Sequence, residues 1–326
     1  KFGAGLMAMA LAFAGAGAYG ATVQVTDQTG LDNALSAAKS GDVIQITQAG
    51  EYELNKLGGS GYTLEATVAG VTLQRKKYTT SQPENYVSSC TGLVTLKNIA
   101  WDMTVNAYYP HFKNIHAVDC TFTGLLFAEE TCIFEHCTFN AIGTEYNLWC
   151  YHGPVTFTDC TFNGAGKFLH LYNESNYVGD QLWKVTVDGC TFNSSKKGKA
   201  AVNVKARCNS SAMRYDLVVK NCKIAEGGDN FPEASASDTL IVFNKFIQLD
   251  QISASVPNVI TLTYEGDVIY KDNTVLEVAK KEVEVVTPTV SEEKGITEAI
   301  VEVITKNTEV AKVEDTGLKA ALAEDE

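Results

Sequence analysis

From about residue 41 onward the chain is built of short runs in which apolar and polar residues alternate. Val71-Thr72-Leu73, Cys132-Ile133-Phe134, Val155-Thr156-Phe157, Val185-Thr186-Val187 and Leu217-Val218-Val219 each put their first and third residues on one face of a strand. A fixed phrase accompanies the later runs: Asp119-Cys120-Thr121-Phe122, His136-Cys137-Thr138-Phe139, Asp159-Cys160-Thr161-Phe162, Gly189-Cys190-Thr191-Phe192 and, altered, Asn221-Cys222-Lys223-Ile224. After a two-residue bend the Cys and the aromatic resume the inward direction. The interval between phrases varies while the phrase does not, so loops are inserted between fixed strands. Second strands are expected at residues 147–151, 168–172 and 201–205, and weaker repeats around 93–101, 240–243 and 259–263. Two or three short strands per repeat of about 20–30 residues predict a parallel β-helix. A β-sandwich also has many short strands but does not repeat one side chain at one point of each unit. Ahead of the repeats, Leu31, Ala34, Leu35 and Ala38 recur at helical spacing, which predicts a short amphipathic helix over the open end of the core.

The balance of charge narrows the function. The 326 residues include 26 Lys plus Arg against 39 Asp plus Glu, a formal charge of −13, and the only arginines are Arg75, Arg207 and Arg214. Phosphate binding needs a concentrated basic surface, so nucleic acid is not an expected partner. The start, from Phe2 through small residues to Ala18, reads as the remainder of a secretory signal, with cleavage after Ala18 or Gly20. No other segment is long and apolar enough to span a bilayer. A secreted or cell-surface protein is therefore expected. Its nine Cys include no C-x-x-C pair and match no structural zinc pattern.

The stretch Gly41-Asp42-Val43-Ile44-Gln45-Ile46, with residues 50–54 and 69–73, resembles the start of the pectate-lyase-like superfamily of right-handed β-helix proteins. The Cys-Thr-Phe-Asn phrases look like the repeats of exported bacterial surface proteins with that fold. The resemblance covers about residues 21–276 and implies an all-β, right-handed parallel β-helix. The implied division is a signal remnant at 1–20, an N-terminal cap at 21–40, the β-helix at 41–276 and an acidic segment at 277–326. That last segment is a charged tail or a small cap, with Ile296, Ala299, Ile300, Val303 and Ile304 at helical spacing. Enzymes of the superfamily carry calcium-binding carboxylates with an Arg base, or Asn-Thr-Asp, paired Asp, Gly-His-Gly and Arg-Ile-Lys signatures. None of these is found here, and His152-Gly153 lacks the preceding Gly. No catalytic residue carries over, and no cofactor or metal is expected; calcium has no motif to hold it.

Three constellations are candidates for chemistry. Stacked repeats place Cys120, Cys137, Cys160, Cys190 and Cys222 in one row, read as small apolar side chains filling a uniform slot rather than as a metal or redox ladder. One residue earlier, Asp119, His136, Asp159, Gly189 and Asn221 form a polar row. There His136 between two carboxylates is a candidate for acid/base chemistry, against a turn position suited to Asp and Asn. On the second strands, Trp149, Tyr151, His170 and Tyr172 are expected to face outward as a flat stripe for stacking on sugar rings or docking a protein. The function expected is a non-catalytic adhesive or structural module that binds polysaccharide or a host or cell-surface protein. The alternatives are a polysaccharide lyase or glycoside hydrolase acting on acidic polysaccharide around Asp119, His136 and Asp159, and a self-assembling surface-layer or filament component.

Overall fold

A computed structural model describes residues 20–75, 87–104, 110–142, 146–150, 153–164, 167–172, 182–193, 202–205, 214–224, 239–242, 247–250, 259–265, 267–270, 274–277, 281–286 and 302–307. The chain is all-β with mostly parallel pairing: one helix, α1 (Gln28–Ala37), accompanies a 17-stranded and a 10-stranded sheet among the described residues. α1 contains Leu31, Ala34 and Leu35 of the expected apolar stripe, and Ala38 is its C-cap. Asp27 caps it by accepting a hydrogen bond from the Gly30 amide, and Leu31 and Ala34 are buried.

The parallel pairings fall into three rows. The first runs from Thr22–Val25 through Val43–Ile46, Thr63–Ala66 and Val94–Lys97 to residues 115–118 and 132–135. It continues through Val155–Thr158, Leu182–Asp188 and Arg214–Lys220 to Val259–Glu265. The second row holds residues 111–113 and 127–129, then Tyr146–Cys150, Lys167–Tyr172, Val202–Lys205 and Ile247–Asp250. The third is the smaller sheet, from Gly50–Leu54 to Asp267–Tyr270, and includes Thr121–Thr123, Thr138–Asn140, Thr161–Asn163 and Thr191–Asn193.

Identical register stacks like on like. Trp101, Phe122, Phe139, Phe162 and Phe192 lie one above another, and the last four are near-parallel at 5.3, 4.9 and 4.7 Å between ring centroids. Phe134 and Phe157 stack at 5.1 Å in the first row and meet the third-row rings edge to face, as between Phe139 and Phe134 at 5.3 Å. Such pairs contribute about 0.5–1.5 kcal/mol each beyond area burial. Where the first row offers only Ala117, Phe112 takes the edge-on place against Trp101 and Phe122. An amide ladder runs outside the rings: Asn163 donates to Asn140 and Asn193 to Asn163, at 3.0 and 2.9 Å.

The cysteine row sits at the corner between the first and third rows. Cys120, Cys137, Cys160, Cys190 and Cys222 are buried, and each thiol donates to the carbonyl two residues back, at 3.4, 3.3, 3.4, 3.4 and 3.0 Å. Ile99 takes the same place one repeat earlier and is equally buried. A slot that accepts Ile as well as Cys is selected for apolar character and not for thiol chemistry. Cys208 lies outside the described residues; the other eight are free thiols.

Beyond residue 276 the expectation of helical spacing is corrected. Val303 and Ile304 lie in the strand Glu302–Asn307, paired antiparallel with Lys281–Val286, which itself pairs antiparallel with Val259–Glu265. An open sheet edge offers β-branched residues a ladder that an isolated charged helix lacks, and tertiary pairing overrides the apolar period. Residues 296–301 lie outside the described residues.

Burial pushes the Cys132 thiol up to about 12 and the Cys150 thiol well above its usual range. Hydrogen bonding with Cys137 and burial do the same for Cys120. An unfolded thiol ionises near pH 9.0, so above that pH the unfolded chain binds fewer protons than the folded one and stability falls as pH rises. Denaturant midpoints should decline between about pH 9 and 11, less steeply in Cys132→Ala. Native-state thiol labelling should stay slow throughout. A flat midpoint, or labelling at the rate of a free thiol, would contradict this packing.

Candidate functional site

Asn98, Asp119, His136, Asp159 and Asn221 close successive first-row strands with φ of 55°, 53°, 52°, 50° and 48°, and Gly189 holds the same corner at 66°. The left-handed region is open to Gly and tolerated by Asn and Asp, which accounts for the residue types at this corner. At Gly189 a side chain would meet Asp159 Oδ1 at 2.1 Å from the Cβ position. The corner keeps its ladder: the Asp119, His136 and Asp159 amides donate to the carbonyls of Glu135, Thr158 and Asp188 at 3.0, 2.9 and 2.8 Å.

The structure brings the three nominated acid/base residues together on the surface. His136 Nδ1 lies 3.6 Å from Asp119 Oδ1 and Nε2 3.8 Å from Asp159 Oδ2, and all three side chains are more than half exposed. These separations are longer than hydrogen bonds. Beside them His116 Nε2 lies 2.9 Å from Glu135 Oε2, and Asn221 donates to Asp188 at 3.1 Å.

Of the expected aromatic stripe, Trp149 is half-buried, with its indole Nε1 shielded, and it is in register with Phe127 on one side and His170 on the other. Tyr172 is in register with Lys205. Leu148, Cys150 and Leu169, expected to face in, are buried. Tyr151 and the side chains of His170 and Tyr172 lie outside the described residues.

A second cluster was not legible beforehand. Leu126–Glu135 carries a bulge: Glu129 pairs with Lys113 and Cys132 with Ile115, so Glu130 and Thr131 stand opposite the single Asn114. Glu130 and Asn114 both take positive φ, 56° and 54°. Asn114 clamps the bulge by donating to Glu130 Oε2 and to the Cys90 carbonyl, each at 2.9 Å. Glu129, just before the bulge, lies on the face it shares with Phe127 and opposite Lys113, and is only 2% exposed. Its Oε1 is hydrogen-bonded to His111 Nδ1, and its Oε2 lies 3.2 Å from Lys113 Nζ, which reaches Glu130 Oε1 at 3.1 Å. The His111 ring stacks on Phe127 at 4.5 Å, and Phe127 meets Trp149 at 5.0 Å. Burial pushes the Glu129 carboxyl up, but the hydrogen bond and charge of His111, with the charge of Lys113, outweigh it and leave the group below its usual range. Both carboxylate oxygens are thus engaged: the pair orients an imidazole and fixes an ammonium. The one sequence signal was a Glu directly after Leu126-Phe127-Ala128, an apolar run whose register no alternation rule supplies.

A cavity of about 650 Å³ lies elsewhere, between α1 and the first strands, and none of the nominated residues lines it. Among the described residues no group of three or more His, Cys, Asp or Glu is placed to hold a metal ion, and no helix is long and apolar enough to cross a membrane. Compared with known proteins, the chain matches no protein-family model and no curated protein.

Two substitutions test these assignments. His136→Gly should keep or slightly raise stability, whereas His136→Val should lower it by about 1–2 kcal/mol, because the backbone and not the imidazole sets the residue type. An equal loss in both would show that the Asp119 and Asp159 contacts matter instead. Glu129, held low, contributes stability above the unfolded carboxyl value of 4.5 that is lost as pH falls through its folded value. Glu129→Gln should therefore cost about 3 kcal/mol at neutral pH by leaving Lys113 and His111 with a neutral partner. The gap from the parent should close in acid; a gap unchanged down to about pH 3 would refute the ionised pair.

Proposed function

We propose that the chain is an exported right-handed parallel β-helix of the pectate-lyase-like kind, acting at a cell surface as a non-catalytic binding module for a polysaccharide or a surface protein. The leader-like start supports export, and the three rows with one repeated phrase support the architecture. The observation that carries the binding reading is the second-row register His111, Phe127, Trp149, His170, Asn203, Gln248. Aromatic, imidazole and amide residues there follow one another at about 4.8 Å along a straight line. Phe127 is itself buried in this line and backs His111 and Trp149, which are partly exposed and suit stacking on an extended chain of sugar rings.

One observation favours a second reading, a polysaccharide lyase or glycoside hydrolase: the buried, ionised Glu129 orients His111 through Nδ1, as an acid/base imidazole needs. The corner residues Asp119, His136 and Asp159 give this reading less support, because backbone conformation already accounts for them.

The two readings separate in a glycan array run beside reducing-sugar and unsaturated-product assays. Trp149→Ala with Tyr172→Ala should weaken retention by roughly tenfold per ring with the β circular dichroism unchanged. Asp159→Asn with His136→Ala should leave retention intact. Turnover of any polysaccharide that vanishes in His111→Asn would replace the binding module with the enzyme.

A further inference from the structure

The antiparallel pairings among the described residues all lie at one end of the rows. Thr239–Val242 lies antiparallel on Ile247–Asp250, the last strand of the second row. Lys281–Val286 lies antiparallel on Val259–Glu265, the last of the first, and Thr274–Glu277 on Asp267–Tyr270, the last of the third. Glu302–Asn307 then adds to Lys281–Val286. Each row therefore ends on a strand whose outer edge accepts an antiparallel partner, and the partners of the first and third rows come from an acidic, lysine-interrupted stretch of the kind that discourages strand addition.

The opposite end is closed differently. The Gln28 side chain donates through Nε2 to the Glu53 carbonyl and accepts through Oε1 from the Glu53 amide, both at 2.7 Å. These are the two bonds that a neighbouring strand would make to Gly50–Leu54. α1 also packs on Thr22–Val25, the first strand of the first row.

We propose that Thr239–Val242, Thr274–Glu277, Lys281–Val286 and Glu302–Asn307 form a displaceable cover over a self-association surface, and that the partner is a second copy of this chain met tail to tail. A two-fold axis through the last first-row strand sets Val259–Glu265 antiparallel to its own copy, the polarity that Lys281–Val286 now supplies. The same rotation exchanges the other two rows, so Ile247–Asp250 meets the copy's Asp267–Tyr270, again antiparallel. A head-to-tail filament would instead need parallel partners at the end occupied by α1 and Gln28. The contact is therefore isologous and closes at a dimer. This surface is separate from the lateral row of the proposed binding function and does not depend on it.

The test uses the full chain. Successive N–H groups of a strand point to opposite edges, so Val283→Pro with Glu284→Pro removes one donor from each side of Lys281–Val286. Size-exclusion chromatography with light scattering should give one chain's mass for the parent and twice that mass for the variant, with hydrogen-exchange protection lost from residues 281–286 and kept in 259–265. A variant that stays monomeric with 281–286 unprotected overturns the proposal, and so does open-ended growth, which would mean that the α1 end pairs too. Should the variant lose its β circular dichroism, the parent decides. Dimer formation at high concentration with loss of protection at 281–286 supports the cover, and protection independent of concentration rejects it.

Discussion

The backbone ladder is not interrupted where the chain turns from the first row into the third, and the rest of the structure depends on this. The amides of Asn98, Asp119, His136, Asp159 and Gly189 reach the carbonyl that closes the next first-row strand, and two residues later the amide of Thr121, Thr138, Thr161 or Thr191 picks up the carbonyl of Ile99 or of a row cysteine. These bonds pair the backbone on both sides of the corner, which lowers the usual penalty of turning inside a sheet. Because both sides of the corner are bonded, one repeat cannot slip against the next. Phe then falls on Phe, Cys on Cys and Asn on Asn. The recurring phrase is thus a consequence of register: when neighbours stack in one geometry, the side chain that fits once fits each time.

The second row depends on the same constraint in reverse. There register is broken once, at the bulge between Glu129 and Cys132, and the chemistry concentrates at that break. Just before the break, on the face it shares with Phe127, a carboxylate is buried, and His111 and Lys113 on the preceding strand supply the charge that makes this tolerable. With both oxygens bound, Glu129 stiffens the site and holds His111 flat on Phe127. The corner row offers the opposite combination: exposed groups, loosely spaced, on a backbone that needed residues of that kind.

Much was determined by the sequence alone. Period-two alternation with a constant phrase at irregular intervals specified parallel stacking, the buried faces, the cysteine slot and the helix at Gln28–Ala37, because these are local patterns repeated in register. The corner residues were legible as turn formers, Asp and Asn most plainly, with His136 the less common member. Only the tertiary structure decided the rest. A two-against-one bulge leaves no mark in the alternation until the partner strand is known, so the Glu129, His111 and Lys113 cluster was invisible. The ends of the rows were likewise undecided: apolar residues from Ile296 to Ile304 satisfy a helical period, yet Val303 and Ile304 pair as a strand because an edge was there to receive them. Local patterns fix which way a side chain faces, whereas which edge or charge it meets depends on strands far away in the chain.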